Sequence, residues 1–306
     1  MAAADDAMVT YRYVRVGLVA LVVFLLVSVA LTWVQTCLQS SISAFFYTRT
    51  HAVLVAALCA IGICLIAYRG SRVGEDALLN FSGYLAFIVA LIPTDSVGLC
   101  QPWLPTVDDP FGGVGNNAAA LLVAAAAGTA MYLALQRWRH PQPLPTAEAE
   151  TCAAAATVWK RVAAVLLRIE RWLPSALLGI VIGGAVLSLW DWFLDRAHVI
   201  AAVAMFLAIV LVAVYHACYA RAAARHRLAR FYAALATLML ATVVVAVIFL
   251  LADVEFGVFI VEVLLILEFA VFWAVQTWDV WEPTDRYPAS AVPGLAEARS
   301  GPADTA

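Results

Sequence analysis

Eight long apolar stretches recur along the chain, at residues 17–35, 51–68, 78–93, 118–136, 173–193, 198–219, 231–252 and 257–278. An α-helix needs roughly 20 apolar residues to cross a hydrocarbon core about 30 Å thick. The pattern therefore predicts an all-α, polytopic bundle of eight transmembrane helices. The third stretch is short and carries Asn80 and Ser82. Within the first, Ser28-Val29-Ala30 loosely mimics a signal-peptide cleavage site, but apolar residues run on to Val34, which favours an uncleaved helix. Residues 1–281 are read as one transmembrane domain. The remaining 282–306 are rich in Pro, Ala, Ser and Gly without apolar period, and are expected to be a disordered cytoplasmic tail.

Between the fourth and fifth stretches, residues 155–172 have a different pattern. At 100° per residue, Lys160, Arg161, Arg168 and Arg171 share one quadrant, opposite Val158, Val162, Val165, Leu166, Ile169 and Trp172. An interfacial helix with its basic face on anionic inner-leaflet lipids fits this arrangement. A cytoplasmic helix packed on the bundle is the alternative. Ala120, Ala124 and Gly128, and Gly179 with Gly183, are small residues spaced by four, expected to seal neighbouring helices within the chain.

Composition agrees with the pattern. The chain is 65% hydrophobic and 13% charged, whereas soluble domains are about 45–50% apolar and about 25% charged. The basic residues then set an orientation. Of 18 Lys and Arg, only Arg49 and Arg196 fall in the loops that are external if the N-terminus is cytoplasmic. By the positive-inside rule both termini are cytoplasmic, in the plasma membrane. Residues 36–50 and 94–117 then lie outside. Nothing in the pattern points to nucleic acid.

Of six cysteines, Cys37 and Cys100 alone reach the outer face, and they are the one pair positioned for a disulfide. Two acids interrupt the eighth stretch. Counting 1.5 Å per residue, Glu262 lies about 7 Å below the outer boundary and Glu268 about 16 Å below it. With no Arg or Lys expected inside any span, Glu268 is either a neutral acid or set in a wet cavity. Thr242, Ser28 and Tyr84 are at similar depth and able to hydrogen-bond it. Its alternatives are a proton-carrying or ligand-binding acid and a plain interhelical hydrogen bond. His198 opens the sixth stretch at the outer boundary, near Asp191, Asp195 and Arg196, and the first external loop brings Arg49 and His51 to the same side.

Catalytic patterns are weak. A zinc hydrolase wants about three ligands at one depth, but His140 and His226 are cytoplasmic and His216 is about 27 Å from His198 along one helix. Ser41 or Ser43 with His198 as base satisfies topology alone. No GxSxG, Walker, HExxH or nucleotide-binding fingerprint occurs, and no cofactor is implied.

The succession "SISAFFYT", "ALCAIGICLIAYRG" and "EDALLNFSGYLAFIVALIPT", with the later "AHVIAAVAMFLAIVL" and "FIVEVLLILEFAVFWAV", resembles a family of uncharacterised bacterial polytopic membrane proteins. In that family an aromatic S-I-S-A-Y-Y-Y-T-like loop follows the first span. The layout is more remotely similar to the eukaryotic Frag1/DRAM/Sfk1 six-helix membrane proteins. The resemblance covers residues 12–94 and 196–281. It implies six core helices, with the fourth and fifth spans as an inserted pair. It matches Ser41, Ser43, Tyr47, His198 and Glu262 to the family's polar positions, while Phe45 and Phe46 stand where Tyr is frequent. The expectation is an outward polar pocket formed by those five residues, binding a lipid or small molecule without chemistry. A proton-coupled carrier using Glu262 or Glu268 and an intramembrane lipid hydrolase are the alternatives.

Overall fold

The computed structural model describes residues 2–94, 98–103, 117, 119–124, 126–127, 130–131, 157–188, 190–254 and 256–279. Among these residues the regular structure is entirely helical. The helices are α1 (Ala2–Gln35), α2 (His51–Ala67), α3 (Val73–Leu91), α4 (Thr157–Glu170), α5 (Leu173–Leu187), α6 (Asp191–Ala222), α7 (His226–Leu251) and α8 (Gly257–Asp279), with a 3-10 turn at Ser43–Tyr47. Five of them, within α1, α3, α6, α7 and α8, are long and apolar enough to cross a membrane. α2 and α5 are apolar but shorter. The fourth predicted span, 118–136, lies partly outside the described residues, as does Gly128. The tail 282–306 lies wholly outside them.

Neighbouring helices close a ring: α1 on α2, α2 on α3, α3 on α6, α6 on α7, α7 on α8, and α8 back on α1. α5 leans on α3 from outside the ring, and α4 touches α3 and α5. Inside, Leu18, Leu65, Leu79, Val212 and Phe272 are fully buried in one continuous core. The backbones of α2 and α3 approach closely where two glycines face each other. A Cβ on Gly83 would sit 2.5 Å from the Gly62 carbonyl oxygen, so only glycine fits there. By contrast, Gly179 and Gly183 meet nothing within 4 Å, and Ala120 and Ala124 are exposed. The small-residue spacing on those segments does not seal neighbours within the chain, contrary to expectation.

Boundaries shift in informative places. The fifth stretch, 173–193, is not one helix: it stops at Leu187 and α6 begins at Asp191. Consequently His198 does not open its helix but stands two turns inside it. Arg15, assigned by sequence to the segment before the first span, lies within the apolar run Val9–Gln35 and is buried. Its guanidinium sits 4.8 Å from the Tyr11 ring and 5.2 Å from that of Tyr68, and donates to Tyr68 Oη at 3.3 Å. Aromatic faces stabilise a cation out of water, which is how a charge is tolerated there.

The amphipathic helix packs on the bundle through part of its apolar face. Leu166 and Ala163 pack inward, while Val165, Ile169 and Trp172 remain exposed, as do Arg161, Arg168 and Arg171. Its last residue, Glu170, accepts from Arg72 Nε and Nη2 at 3.0 and 2.9 Å and from the Gly74 backbone N–H at 3.1 Å. A carboxylate there satisfies orphan donors at the start of α3. Burial works against the Arg72 charge, but the Glu170 fork more than offsets it and holds its pKa above the ordinary arginine value.

Candidate functional site

At one end of the ring the segment 36–50 folds inward rather than looping out. The Cys37–Cys100 disulfide ties its start to the segment after α3. Beside that bond, Gln39 clamps Cys100 in both directions: its Nε2 donates to the Cys100 carbonyl at 2.6 Å and its Oε1 accepts from the Cys100 N–H at 3.1 Å. Phe45 and Ile42 are buried against Leu25, Val29, Leu54 and Phe259. Ser41 Oγ accepts from the Ala44 N–H at 2.9 Å, capping the 3-10 turn.

Glu262, from the second turn of α8, reaches this turn from below. Its Oε2 accepts from the Ile42 N–H at 2.5 Å, and its Oε1 lies 3.4 Å from Ser43 Oγ. On the other side, Ser43 Oγ is 2.8 Å from His198 Nε2. His198 Nδ1 is 2.6 Å from the Ile92 carbonyl oxygen. A carbonyl only accepts, so Nδ1 carries a proton and, in the neutral ring, Nε2 is an acceptor. Ser43 Oγ thus lies within hydrogen-bonding distance of both groups, 2.8 Å from the imidazole and 3.4 Å from the Glu262 carboxylate, and its single hydroxyl proton serves one of them at a time. His198 is buried, whereas Ser43 and Glu262 are only partly so.

The structure thus joins Ser43, His198 and Glu262 through hydrogen bonds and gives the other two matched residues different partners. Ser41 serves the turn. Tyr47 Oη donates to the Thr94 carbonyl at 2.8 Å, and its own carbonyl accepts from Trp103 N–H at 2.9 Å, so it anchors the loop after α3. His51 turns into its own loop: Nδ1 is 2.8 Å from the Phe46 carbonyl and the two rings meet edge to face at 4.3 Å. Arg196 bonds within α6, to the Trp192 carbonyl at 3.1 Å. Among the described residues, no three metal-ligating side chains come together.

Glu268 is buried, and its Oε1 is 2.8 Å from Thr242 Oγ1, which also donates to the Leu238 carbonyl at 3.0 Å. Thr242 thus shares its one hydroxyl proton between the Glu268 carboxyl and its own helix backbone, and Glu268 Oε2 finds no partner among the described residues. Ser28 and Tyr84 do not share this contact. Ser28 Oγ faces Thr50 Oγ1 at 3.4 Å, and Tyr84 lines an apolar groove.

A second histidine cluster at the opposite end of the ring was missed by sequence reasoning. Glu75, fully buried in the first turn of α3, accepts from the Ser71 N–H at 2.8 Å and Tyr219 Oη at 2.9 Å, and faces His216 Nε2 at 3.1 Å. Nearby, Asp279 binds both Arg225 and Tyr232 Oη. The signal was present as the acidic pair Glu75-Asp76, four and five residues after Ser71, where a helix start wants carboxylates. His216 and Tyr219, three apart on one helical face, complete it.

No protein-family model, curated protein or solved structure matches the chain.

Proposed function

We propose that this is a plasma-membrane protein of eight transmembrane helices with both termini cytoplasmic, and that Ser43, His198 and Glu262 form an outward-facing site for a lipid or small molecule. The five long apolar helices support a membrane-spanning protein. The excess of arginine at the end carrying Arg69, Arg72, Arg221 and Arg225 supports the orientation.

The observation that carries the ligand reading is the partly exposed Glu262 carboxylate, whose partners among the described residues are the neutral donors of Ile42 and Ser43. Such a carboxylate has room for a further donor. A hydroxyl or ammonium group supplies one, with the carboxylate making the bond charge-assisted. Hydrolysis fits less well. The Ile42 N–H, a backbone donor beside Ser43 that would stabilise an oxyanion, is taken by Glu262. A second reading has its own support. An added proton at the same place would convert the cluster to a His198–Ser43–Glu262 relay, as a proton-coupled carrier requires, with Glu268 deeper on the same helix.

Headgroup preference tests the first reading. Native mass spectrometry of the purified protein should retain phosphatidylethanolamine, which carries an ammonium donor, over phosphatidylcholine, which does not. Ser43→Ala should abolish the preference. Equal retention of both lipids by the unmodified chain would refute it. Proton uptake by sealed proteoliposomes, lost in Glu262→Gln, would favour the carrier instead. For topology, a membrane-impermeant thiol reagent should label a cysteine placed in 94–117 but not one at position 150.

A further inference from the structure

A second, apolar feature lies on the flank of the ring where α5 leans against α3. A groove runs between α3, α5, α6 and the residues Asn117, Leu121 and Leu122, walled by Leu85, Ile88, Gly184, Leu194 and Ala201 among others. Its α3 wall extends from Phe81 to Ile92 and its α6 wall from Phe193 to Ala204. Eleven residues at 1.5 Å each make both walls roughly 16 Å long. Ile92 and Phe193 stand at the same end of the ring as the polar cluster, so the groove starts at that boundary and stops near mid-depth.

We infer that this groove holds one acyl chain of a lipid in the leaflet on the Cys37–Cys100 side. Half of a hydrocarbon core about 30 Å thick is about 15 Å, which matches the groove in length and in where it ends. Polarity is graded in the same sense. Asn117 and Ser188 border it near the boundary, and below them the lining is hydrocarbon except for Tyr84. The groove is open sideways: Ile180 and Ile200 on its rim are themselves about half exposed. At that depth the surroundings of a membrane protein are lipid chains, so the occupant needs no passage through water. A polar ligand is disfavoured, since such walls offer it no partners. Gly184 makes the room. A Cβ there would meet nothing within 4 Å, so α5 is not sealed to its neighbours at this point and the space beside Gly184 stays open. The inference rests on these walls alone. They share one residue, Ile92, with the His198 contact, and the reading of the polar cluster is not needed.

The full chain, reconstituted in phosphatidylcholine vesicles doped with a phosphatidylcholine carrying a mid-chain diazirine, tests it. Headgroup preference plays no part in this choice of probe, so the result is independent of the ligand assigned to Ser43 and Glu262. Photolysis and peptide mapping should place adducts on Leu85, Ile88 and Ala201 in excess of those on Ile182, which is exposed on the same helix as Gly184 but does not line the groove. Gly184→Phe should fill the space and reduce those adducts to the level on Ile182, leaving Ile182 itself unchanged. Ala185→Phe, from the same wall, serves if Gly184→Phe fails to purify as a single species. Adducts on the groove walls no more frequent than on Ile182, or unaffected by both substitutions, would overturn the inference. Cross-linking between copies through Gly184→Cys in place of lipid adducts would also overturn it, by assigning the groove to a second copy of the chain.

Discussion

Both ends of α6 bear a histidine bound to a glutamate network, and the two networks differ in how they are closed. His216 faces Glu75 directly, and both are sealed, at 2% and 0% side-chain exposure. Glu75 spends its oxygens on donors within the protein: a helix-start N–H, a tyrosine hydroxyl and the imidazole. His198 meets Glu262 only through Ser43, and the mediating hydroxyl and the carboxylate are partly exposed. One arrangement is closed off from its surroundings. The other leaves its hydroxyl and carboxylate partly exposed. The same residue types therefore make a buried clamp at one end and, under the proposed function, a ligand site at the other.

The largest effect should come from opening the sealed network. Glu75→Leu removes the buried carboxylate that His216, Tyr219 Oη and the Ser71 N–H share. Removing one partner of a buried pair costs about 3–5 kcal/mol, to be read as loss of thermal stability in detergent. Glu75→Leu with His216→Phe should recover part of it, because both members of the buried pair are then apolar. If the single variant unfolds no earlier than the unmodified chain, the clamp is not one.

Next is the covalent tie. Cys37→Ser with Cys100→Ser, or reduction, should cost about 2–4 kcal/mol, typical for a disulfide. The loss should appear as proteolysis within 36–50 before the rest of the ring opens. Alkylation of both thiols in intact cells without reductant would show that the bond is absent.

Glu262→Leu should cost less than Glu75→Leu, about 1–3 kcal/mol for the unsatisfied Ile42 N–H, since partial exposure lets water replace it. Equal destabilisation by the two would erase the contrast between clamp and site. Ser43→Ala sharpens it from the other side. Its stability cost should be about 1 kcal/mol, measured by the same thermal shift, while the ethanolamine headgroup preference disappears.

The smallest expected effect concerns α4. Arg161→Gln, Arg168→Gln and Arg171→Gln should each weaken partition onto anionic vesicles by about 1 kcal/mol at low salt, with the fold unchanged because those side chains are exposed while Leu166 and Glu170 hold the helix on the ring. Co-flotation of purified protein carrying each substitution would measure it.

Much of the helical order was legible because apolar runs and amphipathic period are local properties. α8 was expected at 257–278 and spans Gly257–Asp279. The basic and inward faces of α4 followed from angular spacing, although the sequence did not separate the apolar flank that packs from the flank that stays exposed. The break at Leu187 was not legible, since the aromatic residues after it read as continued membrane span. Among the polar residues, composition and depth singled out His198 and Glu262, because acids and histidines in apolar runs are costly wherever they lie. Their link through Ser43 depended on the 36–50 segment folding inward, which long-range burial of Phe45 and Ile42 and the tie to Cys100 decide. Glu75 and His216 are 141 residues apart, and only the closing of α3 on α6 brings them together. Sequence by itself determined which residues must be helical and which are expensive to bury, through short-range periodicity and transfer energetics. The tertiary structure decided which of those expensive residues satisfy one another and which of them stay partly exposed, because hydrogen bonds are directional and short-ranged, and no local pattern encodes which helices will meet.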